Sequence, residues 1–295
     1  MSMTRRQWMA ATAILGTTAT ASGIEPIRRN GRASFKLGLA AYSFRQALDL
    51  RRKPPAMNLE GFIDQAAGWP LDAVELTAYY FPETTPAYLA RLKARCTRLG
   101  LDVSGTAVGN NFCRRDADRM KEEIDSVKRW IEHTSRLGGK TIRIFAGTVE
   151  RGEEEAVARR RAIAAIEECC EHAAQFGVLL ALENHGGITA TADQMLEIVR
   201  AVRSEWFGVN LDSGNFRTAD PYDDLAKIAP YAVVAQLKTE IHRQGKGVEE
   251  ADLKRLVDML RKIHYRGYVV LEYEAAEDAA VAVPRHLRAL RELLS

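Results

Sequence analysis

Eight short apolar segments occur between residues 35 and 274, and a stretch with helical periodicity follows each of them. The segments are residues 35–44, 72–80, 102–112, 140–147, 179–183, 208–212, 232–239 and 268–274. Their apolar residues run continuously instead of alternating with polar ones, which is typical of strands in a sheet buried on both faces. Eight such units predict an α/β fold, a closed parallel (β/α)₈ barrel with an outer ring of helices.

An open, doubly wound sheet is the main alternative fold. Such a sheet would usually carry a glycine-rich phosphate loop after its first strand. The corresponding segment here reads AYSFR at residues 41–45 and contains no glycine. The closed barrel is therefore favoured.

The first residues have the pattern of a targeting signal. Arg5 and Arg6 precede a mildly apolar stretch, AATAILGTTATA, whose final ATA fits the small-residue rule for a cleavage site. Paired arginines before such a stretch are typical of twin-arginine export signals, so we expect a periplasmic or secreted protein. A disordered tail with chance arginines is the alternative. The predicted organisation is a signal at 1–21, a linker at 22–34 and the barrel at 35–295.

Charge and composition exclude several classes of partner. The formal net charge of the 295 residues is +3, and Arg5 and Arg6 supply two of these charges, so a processed chain would carry about +1. This balance gives no electrostatic case for binding nucleic acid or a membrane surface. The four cysteines have neither metal-site spacing nor the pattern of a disulfide framework.

Carboxylates end two consecutive apolar segments. Glu183 is the last residue of LLALE and Asp212 the last of GVNLD. Burying a carboxylate is costly unless a counter-charge or a metal compensates it. Because active sites of (β/α)₈ barrels lie at the carboxyl ends of the strands, these two residues predict where the chemistry occurs.

Other polar residues belong to the same predicted end of the barrel. Alternate residues of a strand share a face, so Gln236 and Lys238 should point the same way. Asn110 follows the third segment. Arg143 and Glu75 either contact a substrate or form buried ion pairs.

One residue from each of the last four strands can converge on a single point. These residues are Glu183, Asp212, Gln236 and Glu272. Three carboxylates and an amide oxygen suit one divalent cation, with Mn²⁺ expected first and Mg²⁺ or Co²⁺ as the alternatives. They suit structural zinc less well. The alternative is a set of separate salt bridges between the carboxylates and the cations Arg143 and Lys238.

Several motifs together resemble a known family. They are LALENHGG, VNLDSGNF, AQLKTE and VVLEYE, with VELTAYY and the Gly-Asn-Asn loop at 109–111. In this order they resemble the xylose-isomerase-like TIM barrel superfamily of sugar phosphate isomerases and epimerases. Many members have histidine where this chain has Gln236, and the epimerases often have a substrate-binding histidine where it has Asn215. The glutamine is similar to that of certain dehydratase-like members.

The resemblance implies a metal-dependent isomerase or epimerase that acts on a ketose or keto-sugar by proton transfer through a stabilised enediolate. Glu183 and Glu272 would then face opposite sides of the sugar as base and acid. The alternative is a lyase or dehydratase acting on a keto-sugar such as a 3-keto-glycoside, with His185 or Lys238 as base or acid. The alternative for His185 is a loop residue with local hydrogen bonds, and the alternative for Lys238 is a simple ion pair with Glu240 or Glu274.

Two further classes share the predicted fold. A nuclease similar to endonuclease IV would need many histidines at the strand ends and a basic surface for phosphates, and this chain has neither. A non-catalytic sugar-binding barrel stays open. The expected partner is therefore a small sugar, without nucleic acid or membrane, and an oligomer is compatible with the sequence.

Overall fold

A closed barrel of parallel strands organises the protein, whose structure is a computed structural model that describes residues 23–295. The barrel strands are β1 Ser34–Ala40, β2 Ala73–Thr77, β3 Asp102–Ala107, β4 Thr141–Ile144, β5 Leu179–Glu183, β6 Phe207–Asp212, β7 Ala232–Leu237 and β10 Arg266–Leu271. Each strand pairs with its neighbours in chain order, and β10 closes the ring against β1. The predicted (β/α)₈ barrel is confirmed.

Within residues 23–295, eight α-helices surround the strands. They are α1 Leu59–Ala67, α2 Pro86–Arg98, α3 Ala117–Leu137, α4 Glu155–Phe176, α5 Ala192–Val199, α6 Pro221–Ile228, α7 Leu253–Lys262 and α8 Ala279–Leu294. Local sequence signals account for their ends: Thr191 and Gln194 form a capping box before α5, and Gly138 ends α3 in the left-handed conformation. None of the described helices is both long and apolar enough to cross a membrane.

The segment after β7 differs from the sequence prediction. The helical stretch predicted after residues 232–239 does not follow directly, because α7 begins at Leu253 and a hairpin of β8 Glu240–Arg243 and β9 Gly247–Glu250 precedes it. Gly245 and Gly247 have φ angles of 76° and 78°, which glycine adopts without steric cost, and they permit the tight turn. The sequence did not predict this hairpin, because its residues are mostly polar and alternate only weakly between apolar and polar.

Side chains fill the barrel at the end where the strands begin. Tyr268 donates a hydrogen bond of 2.9 Å to Asp102, which also receives one of 2.6 Å from Lys36. Val270, two residues further along β10, is fully buried beside Gln236 of β7. The interior is thus a packed core, and a cavity for a ligand has to open at the carboxyl end of the strands.

Candidate active site

The last residues of β5 and β6 place two carboxylates at the mouth of the barrel. Glu183 ends β5 and is 2% exposed, and Asp212 ends β6 and is fully buried. Strand register sets Asp212 beside Gln236 of β7, and Gln236 beside Val270 of β10. The predicted convergence of strands five to eight therefore follows from the parallel pairing of consecutive strands.

Glu183 lies between a cation and an amide. Its Oε2 is 2.8 Å from the Arg143 Nε, and its Oε1 accepts a hydrogen bond of 2.8 Å from Asn215. The Arg143 guanidinium is itself held in place, because it donates to the carbonyl of Val108 at 2.6 Å and lies 4.1 Å from the centre of the Phe145 ring. Arg143 thus favours the ionised form of Glu183.

The ammonium of Lys238 stands among oxygen atoms from four residues. Its Nζ is 3.2 Å from Asp212 Oδ2, 3.3 Å from Glu272 Oε2 and 3.2 Å from Glu274 Oε1. It also donates to Asn215 Oδ1 at 3.2 Å. Asn215 therefore links the two charged centres, since its amide nitrogen binds Glu183 while its oxygen binds Lys238.

Gln236 belongs to a buried hydrogen-bond chain across the barrel. Its Nε2 donates to Glu75 Oε1 at 2.6 Å, and its Oε1 accepts from Asn210 at 2.5 Å. The Asn210 amide also lies 3.3 Å from Glu183 Oε2. As placed, both ends of the Gln236 amide have protein partners, so its predicted role as a metal ligand stays a prediction.

Burial raises the pKa of four carboxyl groups at the strand ends, those of Glu75, Glu183, Asp212 and Glu272. It raises the pKa of Glu75 to about 8, with the nearby Glu272 adding to the effect. It raises the pKa of Asp212 to about 6 although Lys238 opposes the change. Burial also raises the pKa of Glu183 and of Glu272, while Arg143 and Lys238 respectively act against it. These groups can exchange protons near neutral pH.

His185 and Asn110 lie further from the centre of the cluster. The imidazole of His185 is exposed at the mouth, with its ring centre 4.2 Å from that of Phe145. Asn110 donates to the carbonyl of Phe145 at 2.7 Å and accepts from its amide at 2.9 Å. Its amide therefore fastens the loop after β3 to the end of β4, and its predicted contact with substrate stays a prediction.

Two residues of the site, Asn210 and Asn184, were not predicted from the sequence. Asn210 precedes Asp212 by two positions, so the shared face of β6 was the available signal. Glu274, by contrast, was considered as a partner of Lys238, and the two side chains pair at 3.2 Å. Asn184 exchanges hydrogen bonds of 2.9 Å with the backbone N–H and carbonyl of Asp212, and no local pattern marks this contact.

The donor chemistry of the cluster fits a hard divalent cation. Asp212 Oδ2 is buried and accepts no hydrogen bond, although the Lys238 ammonium is 3.2 Å away. Glu183, Glu272 and Gln236 would supply the other oxygen ligands that Mn²⁺ or Mg²⁺ prefers. Within residues 23–295, no three acidic, imidazole or thiol side chains form a ready-made metal cage. Binding would therefore require Lys238 to withdraw from between Asp212 and Glu272.

Comparison with known structures finds the same fold in several sugar epimerases. L-ribulose 3-epimerase is 20% identical, with a TM-score of 0.71, and the match covers 88% of this chain and 94% of that one. D-psicose 3-epimerase from Clostridium cellulolyticum H10 is 17% identical, with a TM-score of 0.69 and coverage of 85% and 89%. 3-Keto-D-glucoside 4-epimerase from E. coli is 18% identical, with a TM-score of 0.69, and the match covers 88% of this chain and 100% of that one.

No curated protein matches this sequence significantly. A family model does: it is described as the xylose isomerase-like TIM barrel and matches residues 63–293, which hold seven of the eight barrel strands and all of the predicted ligands. The match covers far more than half of the chain and agrees with the closed barrel. This protein therefore belongs to the xylose isomerase-like TIM barrel family.

Proposed function

We propose that the protein is a divalent-metal-dependent isomerase or epimerase of a ketose or keto-sugar. The observation that carries the proposal is a pair of buried glutamates, each beside its own cation. Arg143 contacts Glu183 at 2.8 Å and Lys238 contacts Glu272 at 3.3 Å, and burial raises the pKa of both carboxyl groups. Two such groups at one barrel mouth suit removal of a proton and its return at a second position.

Each residue of the site has a separate role in this mechanism. Glu183, whose ionised form Arg143 favours, removes the proton beside the substrate carbonyl. Glu272 returns a proton on the other side of the sugar. Asn215 orients the substrate between them, since its amide contacts both Glu183 and Lys238. A divalent cation held by Glu183, Asp212, Gln236 and Glu272 would supply positive charge that polarises the carbonyl.

A lyase reaction on a 3-keto-glycoside is the second candidate, and the position of Lys238 favours it. The Lys238 side chain is 9% exposed, and its ammonium lies among Asp212, Glu272 and Glu274. The ammonium can therefore deliver a proton to a leaving oxygen. In this reaction a carboxylate takes the proton beside the carbonyl, the bond from the β-carbon to oxygen breaks, and Lys238 protonates the departing alkoxide. The products are an alcohol and an enone.

Product NMR in D₂O with Mn²⁺ distinguishes the two reactions. Deuterium incorporated into an unchanged carbon skeleton is expected for isomerisation or epimerisation, whereas a released alcohol and an enone would establish the lyase. Glu183→Gln should lower the exchange rate by at least about a hundredfold, while Glu122→Gln on the exposed face of α3 is the matched control. The proposal fails if no ketose or keto-glycoside exchanges a proton or loses an alcohol.

Metal content gives a test that does not depend on finding the substrate. We expect about one Mn²⁺-class ion per chain after purification with Mn²⁺. Asp212→Asn and Glu183→Gln should each weaken Mn²⁺ binding in calorimetry, with the fold checked by circular dichroism. Binding of unchanged affinity in both variants would contradict this assignment of ligands.

We propose in addition that the protein is exported by the twin-arginine route. The support is the sequence of residues 1–21, which lie outside the described residues. Replacement of both Arg5 and Arg6 by lysine should trap the chain in the cytoplasm, measured by cell fractionation. An unchanged periplasmic yield would contradict this route of export.

A further inference from the structure

A cavity of about 560 Å³ is lined by residues that follow β1 and β2. Aromatic rings of Tyr42, Tyr79 and Tyr80 form one wall, and polar side chains that include Arg45 and Gln46 form the rest. Tyr42 follows β1 and Tyr79 follows β2, so the cavity lies at the carboxyl end of the barrel. Its volume falls in the range of about 300–1,000 Å³ that is usual for small-molecule sites.

Tyr79 presents an aromatic ring to this cavity. The residue is 44% exposed, although it is a large hydrophobic side chain. Tyr42 and Tyr80 contact it edge to face, with ring centres 6.5 and 6.2 Å away, so they fix the ring without covering it. Gly109 leaves room for the ring, because a Cβ there would stand 2.9 Å from the Tyr79 hydroxyl oxygen. The ring is thus held in place before any ligand binds.

The aromatic wall is tied to the acidic strand end. Arg45 lies 5.6 Å from the centre of the Tyr42 ring. Its guanidinium donates to the carbonyls of Tyr273 and Glu274 at 3.0 and 2.9 Å. Because Glu274 also contacts Lys238, the cavity wall and the carboxylate cluster share one rigid segment of chain after β10. A ligand that reacts at Glu272 can therefore extend over Tyr42 towards Tyr79.

The cavity combines the two kinds of contact that a pyranose ring needs. The C–H faces of a sugar pack against aromatic rings, and its hydroxyl groups need polar partners at the edge. Gln46 supplies an amide, and Asp49 and Arg51 supply a carboxylate and a guanidinium that already pair at 2.9 Å. Arg52 also lines the cavity, so the lining keeps a net positive charge, and its guanidinium groups can donate hydrogen bonds to sugar hydroxyl groups.

We propose that Tyr42 and Tyr79 form a subsite for a second sugar ring, so that the substrate is a keto-sugar glycosidically joined to another sugar. The inference rests on the proposed function of the carboxylate cluster, since that cluster identifies the reacting ring. Tyr79 binds the non-reacting ring, and Arg45 positions Tyr42 between the two sugar rings.

The test compares a 3-keto-disaccharide with the corresponding 3-keto-monosaccharide. The parent protein should have a kcat/KM for the disaccharide at least about tenfold higher, the scale expected for one ring stacked on an aromatic platform. Tyr79→Ala should remove this preference, and Tyr79→Phe should retain it. Equal kcat/KM values in the parent, or a preference that survives Tyr79→Ala, would overturn the subsite.

Binding measurements separate failure of the subsite from failure of the proposed reaction. If neither keto-sugar reacts with the parent protein, the subsite is judged separately, by calorimetry with unmodified disaccharide and monosaccharide. Tighter binding of the disaccharide that Tyr79→Ala abolishes would support the subsite. Equal affinities would refute it. Gly109→Ala, which pushes against the Tyr79 ring, should reproduce the effect in a protein whose melting temperature is monitored.

Discussion

The ammonium of Lys238 is the positive charge that three acidic side chains share. It lies 3.2–3.3 Å from Asp212, Glu272 and Glu274, and its side chain is 9% exposed. In the protein without metal, this lysine offsets repulsion that the buried carboxylates would otherwise exert on each other. A divalent cation held by the same carboxylates would take over that role.

Lys238→Met should therefore destabilise the metal-free protein. Removing one partner of a buried ion pair costs about 3–5 kcal/mol, because the remaining charges stay buried without compensation. Urea unfolding in EDTA measures the loss, and added Mn²⁺ should restore much of it. Lys227→Met, which breaks an exposed pair with Asp224, is the control and should cost less than about 1 kcal/mol. Equal stability of the two variants in EDTA would contradict this role.

Glu75 makes the stability of the metal-free protein depend on pH. Burial raises its pKa from 4.5 to about 8, so the folded state binds this proton more tightly than the unfolded state does. The resulting stabilisation is complete below about pH 4.5 and is lost as the pH rises through about 8. Glu75→Gln keeps an acceptor for Gln236 and should make this dependence shallower in urea unfolding between pH 5 and 8. A slope equal to that of the parent would show that another group is responsible.

At the scale of elements, the close approach of β3 to the start of β4 requires glycine at one position of the sequence. A Cβ at Gly105 would lie 2.3 Å from the carbonyl oxygen of Thr141, the residue with which it pairs. Gly105 is therefore required by the distance between the two strands. A glycine within an apolar segment weakens the local strand signal, although here it permits the barrel to close.

Gly105→Ala should lower the free energy of unfolding by about 1–3 kcal/mol, because the backbone of β4 has to shift. Gly68→Ala, after the end of α1, is the matched control: a Cβ there meets its nearest atom at 3.4 Å, an ordinary contact. That change should stay within about 0.5 kcal/mol. Chemical denaturation measures both, and similar values would disprove the steric explanation.

At the scale of the whole molecule, residues assigned to a linker run beneath the barrel. Ile24 donates a backbone hydrogen bond to Val202 at 3.2 Å, and Ile27 donates one to Pro230 at 3.0 Å. The Arg29 guanidinium donates to the carbonyl of Ala232 and lies 5.2 Å from the centre of the Tyr265 ring. This segment covers the ends at which β6 and β7 begin, opposite the candidate site.

Truncation separates the proposed targeting segment from this covering segment. A chain that lacks residues 1–22 should melt at the same temperature as the full protein. Removal of residues 1–33 should lower the melting temperature by at least a few degrees, because hydrogen bonds and the Arg29 contact are lost. Metal binding should survive in both, since the carboxylates lie at the other end of the barrel. Equal melting temperatures for the two truncations would contradict a stabilising role.

The sequence by itself determined the alternation of strands and helices and the end of the barrel at which acidic residues gather. Both depend on patterns within a few residues, such as the continuous apolar run of β5 and the Glu183 that ends it. The same reasoning placed Asp212 correctly at the end of β6. It failed for the hairpin β8–β9, where the strands are short and mostly polar.

Only the tertiary structure decided which partner each polar side chain takes. Gln236 bonds to Glu75, 161 positions away in the chain, and Asn110 bonds to the backbone of Phe145. Tyr79 meets Tyr42 only because β1 and β2 pair side by side. Hydrophobic periodicity is local and can be read along the chain, whereas these contacts exist only once the barrel has closed and brought distant strand ends together.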